Sequence, residues 1–413
     1  NIHICTQLFV KTSVLLISFQ ELFNCRRVLI IGSGVIGLTT AYLLLERGYG
    51  VTIIAKDFPS TRHLPKISSE ASGALWVPPE RMVELVKKSS IVVNQAGETA
   101  LDQTLKAWSA YGEERYIPLC KDSRNTGVYL REVVTLFKEK IDQACLEGYK
   151  QIRGFQHSFS VVKDKGVSDL NGQLKDAFSF VGPVIDPQQF GTWLIQECTR
   201  KGAQFIQGAI RGLLTEQAHA LKMTYGVQFI VNCSGLGSIE IAGDRGMYPV
   251  RGSLLMVKND GSLFPKIDFC VATDHTSFGL DEAGQEIHGA AYILPRGADR
   301  LMLGSFYQPN RWDHDLSISA PYVQSMLRRC KELCPRLNVL KDSDIQVTVG
   351  IRPARKHKFR LEQDPYKPCI FHNYGHHRWG MTLCWGSARD LVNLIDNTAT
   401  TIACSKAQHL AKL

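Results

Sequence analysis

The sequence lacks the features that would place it in a membrane, on a metal cluster or on nucleic acid. None of its apolar stretches reaches the roughly 18 uninterrupted residues that a membrane-spanning helix requires. Its 12 cysteines contain no C-x-x-C pair, so reduced thiols inside a cell are expected rather than a metal site or a secreted disulfide scaffold. No basic run carries interleaved aromatic residues. We therefore expect no membrane, metal or nucleic-acid partner.

The composition is that of a globular protein with more than one domain. The chain has 413 residues, of which 44% are hydrophobic and 21% are charged. Single hydrophobic cores stop growing at about 250–300 residues, so two domains are expected. An excess of 48 Lys and Arg over 39 Asp and Glu gives a net charge of +9, which favours small anionic ligands.

The two ends of the sequence differ from the rest. Residues 1–25 form an anomalous leader, because the apolar stretch 14–19 lacks a basic leading region and the chain starts at Asn1. A fragment or a mis-assigned upstream segment is therefore favoured over a signal peptide. The last three residues, Ala411-Lys412-Leu413, are close to the SKL peroxisomal address. This ending predicts a location in the peroxisomal matrix, reached through the peroxisomal import receptor.

A glycine-rich turn between a strand and a helix is the strongest local motif. Val28–Ile31 is typical of a buried parallel strand, and the turn G-S-G-V-I-G then leads from Gly32 to Gly37 into an apolar helix. The first glycine permits a tight turn, the second lets the backbone approach a pyrophosphate, and the third lets helix and strand pack closely. Phosphate charge then lies at the helix N-terminus. Residues 32–37, called the glycine turn below, predict a dinucleotide site.

The segment after the helix supports this prediction. A second strand is predicted at Gly50–Ala55, and Asp57 follows Gly37 at the spacing of about 20 residues at which an acid accepts hydrogen bonds from an adenosine ribose. The spacing leaves open whether NAD, NADP or FAD binds. A helix is predicted at 188–202 and a strand at 203–206, and the segment 229–237 is predicted to be a strand that meets small residues.

Seven motifs in one order resemble the FAD-dependent D-amino-acid oxidases and their relatives, the D-aspartate oxidases. They are GSGVIGL at Gly32, SEASGALWVP ending at Pro78, VNCSGLG at Val231, PVRGSLL at Pro249, YILPR at Tyr292, VGIRPAR at Val349 and HNYGHHRWG at His372. The resemblance runs from about Arg26 to the C-terminus. It implies that FAD accepts a hydride from the α-carbon of a D-amino acid. Oxygen then yields hydrogen peroxide, and the imine hydrolyses to a 2-oxo acid and ammonia.

The resemblance also implies the residues that bind the substrate. Arg352 matches the arginine that holds the substrate carboxylate, and Tyr292 matches a tyrosine whose hydroxyl meets the same group. A planar guanidinium can hold a carboxylate through two parallel hydrogen bonds. Tyr307 is a weaker candidate for the same pocket. No side chain is expected to act as a catalytic acid or base, because the chemistry belongs to the flavin.

The last motif departs from the family, because His377 and Arg378 stand where relatives usually carry two small residues. The backbone carbonyl at the second position accepts a hydrogen bond from the substrate amino group in the family, and this contact survives any side chain. If Arg378 points into the pocket, a second cation favours an acidic substrate such as D-aspartate. If it points outward, it belongs to a solvated basic pair, as the cost of burying an unpaired cation favours.

The resemblance implies contacts to FAD along five segments. The residues are Gly32, Ser33, Gly34, Val35, Ile36 and Gly37 in the glycine turn; Lys56 and Asp57 after the second strand; Ser69, Gly73, Ala74 and Leu75; Ile210 on the adenine side; and His377, Gly380, Met381 and Thr382 near the flavin ring.

The expected fold class is α/β, with a Rossmann-like FAD-binding domain and a discontinuous α+β substrate domain built on a β-sheet. The FAD-binding domain is predicted over 26–80, 181–250 and 345–413, and the substrate domain over 81–180 and 251–344. The second domain is expected to be helical and polar from 80 to about 150 and rich in β-strands from 251 to 307.

Several functions stay open beside oxidation of neutral D-amino acids. The nearest is a D-aspartate oxidase. A sarcosine or glycine oxidase is a further alternative, but the VGIRPAR motif fits it poorly. An inactive FAD-binding relative is a third alternative, because His377 and Arg378 crowd the site. An NAD-dependent dehydrogenase is disfavoured, because no nearby acid–base group can be named. The sequence also leaves open whether the chain forms a homodimer.

Overall fold

The computed structural model describes residues 26–60, 67–88 and 95–410. The leader at 1–25 and the terminal tripeptide at 411–413 lie outside the described residues, so both statements about the chain ends stay predictions. Within the described ranges, the chain is built on two β-sheets flanked by helices. None of the helices there combines the length and apolarity needed to cross a bilayer.

The first sheet carries the glycine turn. It has six strands, of which five run parallel and one edge strand is antiparallel. In spatial order the strands are Arg360–Gln363, Ile370–Tyr374, Phe229–Asn232, Arg27–Ile31, Gly50–Ala55 and Gln204–Gln207. The central strands are apolar and buried, as expected where helices cover both faces of a parallel sheet. The predicted α/β class is confirmed.

The second sheet has eight mostly antiparallel strands and forms the opposite wall of the site. In spatial order they are Gln346–Arg355, Met247–Lys258, Arg300–Pro309, Glu286–Arg296, Cys270–Leu280, Val128–Phe137, Asp176–Ile185 and Gln156–His157. Its outer face packs against the helix Pro321–Leu333 through residues such as Leu303 and Met326. This packing leaves the inner face free to line a cavity.

Helices join and cover the sheets. Their bounds are Val35–Glu46, Pro79–Lys88, Gln95–Leu119, Ser123–Thr126, Gln143–Tyr149, Ser160–Asp164, Pro187–Arg200, Leu214–Tyr225, Ser238–Ile241, Pro321–Leu333 and Gly380–Leu410. The helix Gly380–Leu410 packs on both Val35–Glu46 and Gln95–Leu119. One apolar cluster therefore runs from the first strand through Trp76 to Trp385.

The structure corrects one expected element. The region from 80 to 150, expected to be helical and polar, contains the ten-residue strand Val128–Phe137, which pairs with Asp176–Ile185 along its whole length. Its apolar residues are interrupted by Arg131 and Glu132 and do not alternate with polar ones, so no period-two pattern marked it as a strand.

Strand pairing also crosses the predicted domain boundaries. The strands Asp176–Ile185 and Met247–Lys258 span residues 181 and 250, at which boundaries were predicted, and both belong to the second sheet. Gln346–Arg355 was predicted in the FAD-binding domain, yet it pairs residue by residue with Met247–Lys258 in that sheet. Local sequence does not reveal which partner a strand selects. The division into domains stays a prediction.

Candidate functional site

The glycine turn has the shape that its sequence predicts. Gly32 has a φ of 110°, and a Cβ there would lie 2.5 Å from the carbonyl oxygen of Cys233. A Cβ on Gly37 would lie 2.0 Å from the Gly32 carbonyl oxygen. At Gly34 the nearest atom to such a Cβ is Ser69 Oγ at 3.3 Å. Gly32 and Gly37 are thus required by close packing against backbone, whereas a Cβ on Gly34 would contact only this one side-chain atom.

Gly34 lies at a helix N-terminus. Val35 begins the helix, and its backbone N–H donates to Ser69 Oγ over 3.0 Å. The Ser33 hydroxyl donates to the backbone carbonyl of Asp57, which joins the turn to the end of the second strand. Lys56 is exposed beside Asp57. An anion would be stabilised here by the positive end of the helix dipole.

Ile210 lies at the same edge of the sheet, in the loop after Gln204–Gln207. It is partly buried and, like Ile206, packs on the apolar cluster that includes Ile54. Its role on the adenine side stays a prediction.

One deep pocket extends from the glycine turn to the second sheet. The segment from Ser68 to Pro78 forms one side of it, and the segment from Asn373 to Met381 forms another. The predicted site residues in its lining are Val35, Ile36, Ser69, Gly73, Ala74, Leu75, Tyr292, Tyr307, Arg352, His377, Arg378, Gly380 and Met381. Thr382 lies behind this wall and is buried, with its carbonyl oxygen close to Gly112. Residues far apart in sequence therefore share one cavity.

Arg352 lies at the far end of the pocket. Its Nη1 donates to the carbonyl oxygen of Phe306 and its Nη2 to Ser305 Oγ, both over 3.2 Å. A Cβ on Gly252 would lie 1.8 Å from Nη1, so only glycine leaves room for the guanidinium on the neighbouring strand. Burial lowers the pKa of Arg352, partly offset by Tyr307 and Tyr292. The group stays cationic near neutral pH, because an arginine pKa starts far above it.

Tyr292 stands beside Arg352. Burial raises the pKa of Tyr292 to about 12, although a hydrogen bond with Ser305 and the charge of Arg352 lower it. The phenol is therefore protonated near neutral pH and can donate a hydrogen bond. A Cβ on Gly73 would lie 2.7 Å from the Tyr292 hydroxyl. The segment around Gly73 thus approaches the phenol as closely as a glycine allows.

Arg378 lines the pocket. The outward, solvated position, which the cost of burying an unpaired cation favoured, is therefore not the one observed. Its guanidinium carbon is 4.2 Å from the Trp379 ring centroid and 5.0 Å from that of Tyr307. Arg352 places its own guanidinium carbon 5.0 Å from the same Tyr307 centroid. The two guanidinium carbons are therefore no more than about 10 Å apart. Stacking on aromatic rings offsets part of the cost of burying the second cation.

The pocket is strongly cationic at this end. Arg352 and Arg378 lie there on either side of Tyr307, and within the described ranges the pocket lining includes no Asp or Glu. Arg81 also lines the pocket, but it is paired with Glu84. Burial, together with Arg352 and Arg378, lowers the pKa of His377 to about 3. Burial likewise lowers the pKa of His376 to about 3. Both imidazoles are neutral near pH 7, so the arginines supply the charge that attracts an anion.

Comparison with known proteins agrees with this arrangement. Residues 27–394 match the family described as FAD dependent oxidoreductase. The chain belongs to the FAD-dependent oxidoreductases. It is 28% identical to a D-amino-acid oxidase of Rubrobacter xylanophilus, over 89% of this chain and 95% of the relative. It is 29% identical to a D-amino-acid oxidase of Streptomyces coelicolor, over 89% of this chain and 96% of that relative.

A solved structure shares the fold of this FAD-dependent oxidoreductase. The crystal structure of glycine oxidase from Geobacillus kaustophilus superposes with a TM-score of 0.67 and 18% identity, over 90% of this chain and 95% of that one. At that identity, the likeness shows the fold alone.

The residues of this FAD-dependent oxidoreductase fit its cofactor. The space in front of Gly34 would accept a pyrophosphate at the helix N-terminus. The small residues Gly73 and Ala74 line the pocket beyond it, and Ala74 has a φ of 58°, which turns the backbone sharply at this wall. These residues, with Gly380 and Met381, would hold FAD. FAD would supply the acceptor for a hydride.

Sequence reasoning missed several residues of this FAD-dependent oxidoreductase's site. Ser305 accepts a hydrogen bond from the Arg352 guanidinium, and Gly252 leaves room for it. Asn373 and His376 line the pocket. A glycine inside a strand signals a close approach, so Gly252 in the PVRGSLL motif could have been identified. Asn373 and His376 stand inside the HNYGHHRWG motif. No sequence pattern around Ser305 indicated that it would contact Arg352.

Proposed function

We propose that this oxidoreductase converts D-amino acids to 2-oxo acids and ammonia, with reduction of oxygen to hydrogen peroxide. The observation that carries the proposal is the placement of Arg352 and Tyr292 at one end of the pocket that begins at the glycine turn. A carboxylate on Arg352 would present the rest of the substrate toward the wall at Gly380 and Met381. The names of the two relatives above support the choice of D-amino acids.

The work of the protein is to bind and orient. Arg352 would fix the rotation of the substrate carboxylate through two parallel hydrogen bonds, and Ser305 and the Phe306 carbonyl hold the guanidinium in place. Tyr292 would donate a third hydrogen bond to the same carboxylate. Holding reacting atoms at near-attack distance contributes several kcal/mol to catalysis without any side-chain base.

The test is the visible spectrum of the purified protein without oxygen. Bound flavin absorbs in the visible range and bleaches when it is reduced. Bleaching by D-alanine or D-aspartate, and not by the L-isomers, is the expected result. Bands that persist with all of them would refute D-amino-acid oxidation, and glycine and sarcosine would be tried next. A colourless protein that takes up no added FAD would indicate an inactive relative.

An acidic D-amino acid is a second candidate substrate, and the inward position of Arg378 favours it. A dicarboxylate such as D-aspartate could place one carboxylate on Arg352 and the other near Arg378, because the two guanidinium carbons lie within about 10 Å. Each charge-assisted hydrogen bond of this kind contributes about 1.5–3 kcal/mol.

The two candidates are separated by comparing kcat/KM for D-aspartate and D-alanine. A clear preference for D-aspartate, weakened at high ionic strength, would support the acidic substrate. A preference for D-alanine would assign Arg378 to packing against Tyr307 and Trp379.

A further inference from the structure

We propose that the side-chain carboxamide of Asn373 hydrogen-bonds directly to FAD. The inference depends on the FAD dependence of the family and not on the identity of the substrate, so it can fail or succeed independently of the proposed reaction. It assigns a cofactor contact to a residue outside the glycine turn.

Asn373 is a fully buried polar side chain that lines the pocket. It lies near the end of the strand Ile370–Tyr374, with no solvent exposure. Within the described part of the chain, neither its Oδ1 nor its Nδ2 has a hydrogen-bond partner. Burying an unpaired carboxamide is unfavourable, so such groups usually meet a partner that completes their hydrogen bonds. The pocket is the place from which that partner can come.

A neighbouring asparagine shows what a structural role looks like in this sheet. Asn232 is equally buried and lies on the adjacent parallel strand, opposite His372. Its Oδ1 accepts from the backbone N–H and the hydroxyl of Ser234, over 3.1 and 2.8 Å, and its Nδ2 donates to Ser238 Oγ over 3.2 Å. The protein therefore satisfies the carboxamide of Asn232 by itself, whereas none of the residues that the structure describes satisfies that of Asn373.

The position of Asn373 points to the cofactor. Its strand, Phe229–Asn232 and Arg27–Ile31 are consecutive parallel strands, so their carboxyl ends lie at one edge. Gly32 packs against Cys233 at that edge. Ligands of open α/β sheets bind outside the carboxyl ends of the strands. FAD carries ribityl hydroxyls and a flavin edge with both donors and acceptors, and a carboxamide can pair with both kinds of group.

The experiment compares Asn373→Leu with the matched control Asn232→Leu, using FAD affinity and the melting temperature of the FAD-free protein. Both are measured without turnover, by flavin fluorescence titration and by thermal unfolding. For Asn373→Leu we expect the Kd for FAD to rise about tenfold, as the loss of one or two hydrogen bonds predicts. We expect its FAD-free melting temperature to be unchanged or higher, because no protein hydrogen bond is lost. Asn232→Leu should lower that melting temperature.

The proposal is overturned if Asn373→Leu keeps the wild-type Kd for FAD, whether or not its FAD-free form is destabilised. An unchanged Kd with a raised KM for the amino acid would assign the carboxamide to the substrate instead. If Asn373→Leu does not fold, Asn373→Asp keeps the shape and replaces the donor. It should bind FAD more weakly than the wild type at pH 8, and unaltered affinity there would equally contradict the contact.

Discussion

The two ends of the pocket are built in different ways. The glycine turn occupies six consecutive residues, and its contacts reach mainly to Cys233, Ser69 and the end of the second strand. The Arg352 end has no such continuity. It brings together Arg352, Tyr292 and Arg378 with Gly252 and the 305–307 segment, from four strands and one turn.

The difference separates binding of the cofactor from choice of the substrate. A turn made by local backbone geometry needs glycines at set positions, and it leaves little freedom for variation. An end assembled from several strands can change one side chain without altering the others. Arg378 lies in the pocket while Arg352 keeps its contacts to Phe306 and Ser305. Substitutions at the two ends should therefore have separable effects.

Gly34→Val should have the largest effect, with complete loss of bound FAD. The Gly34 backbone has φ −66° and ψ 173°, which valine can adopt, and the new side chain would fill the space in front of the helix. The flavin-to-protein absorbance ratio measures the loss. Gly37→Val is the contrast, because its Cβ would overlap the Gly32 carbonyl and prevent folding. Normal flavin content in Gly34→Val would disprove the placement of the cofactor.

Arg352→Ala should lower kcat/KM for the D-amino acid about 100-fold or more while FAD stays bound, as the loss of a buried carboxylate contact predicts. Steady-state kinetics and flavin content measure the two effects. Arg355→Ala is the matched control, since Arg355 donates to Asp244 over 2.7 Å and serves the structure. It should lower the melting temperature and retain activity per bound flavin. Equal loss of FAD in both variants would contradict the claim that the substrate end of the pocket can be altered without affecting the cofactor end.

Arg378→Ala should lower the ratio of kcat/KM for D-aspartate to that for D-alanine about tenfold, which corresponds to roughly 1.4 kcal/mol. The reason is loss of the second cation, with the Arg352 contacts intact. Arg389→Ala is a suitable control, because Arg389 stacks on Tyr111 and pairs with Asp390. A ratio that does not change would show that Arg378 only packs against its aromatic neighbours.

His376→Phe should change only the stability of the fold, and only at acid pH. His376 stacks on Phe359 with ring centroids 5.6 Å apart, and burial lowers its pKa from 6.5 to about 3. Unfolding lets the imidazole take up a proton below pH 6.5, so the wild type loses stability as the pH falls from 6.5 toward 3. The difference in unfolding free energy between the variant and the wild type should therefore shift by about 2 kcal/mol in favour of the variant between pH 8 and pH 5. Parallel pH profiles of unfolding free energy would contradict this.

Local elements of the first sheet could be predicted from sequence. The strands at 28–31 and 50–55, the intervening helix and the helix at 188–202 agree with the structure to within about three residues. Hydrophobic periodicity and the glycines that end helices and strands are patterns of a few consecutive residues, so they can be recognised in the sequence. The strand Val128–Phe137 was missed because its partner, Asp176–Ile185, lies far along the chain. Pairing over such a distance leaves no local pattern.

The sequence by itself determined the glycine turn, the α/β class and the motifs that indicate an FAD-dependent oxidoreductase, because each depends on residue types at short, regular spacing. Only the tertiary structure decided that Arg378 faces the pocket, that Ser305 holds Arg352, and that Asn373 is buried without a partner in the described ranges while Asn232 is satisfied. These properties depend on which strands pair and on the space between packed side chains. Both are set by contacts between residues that are distant in the chain.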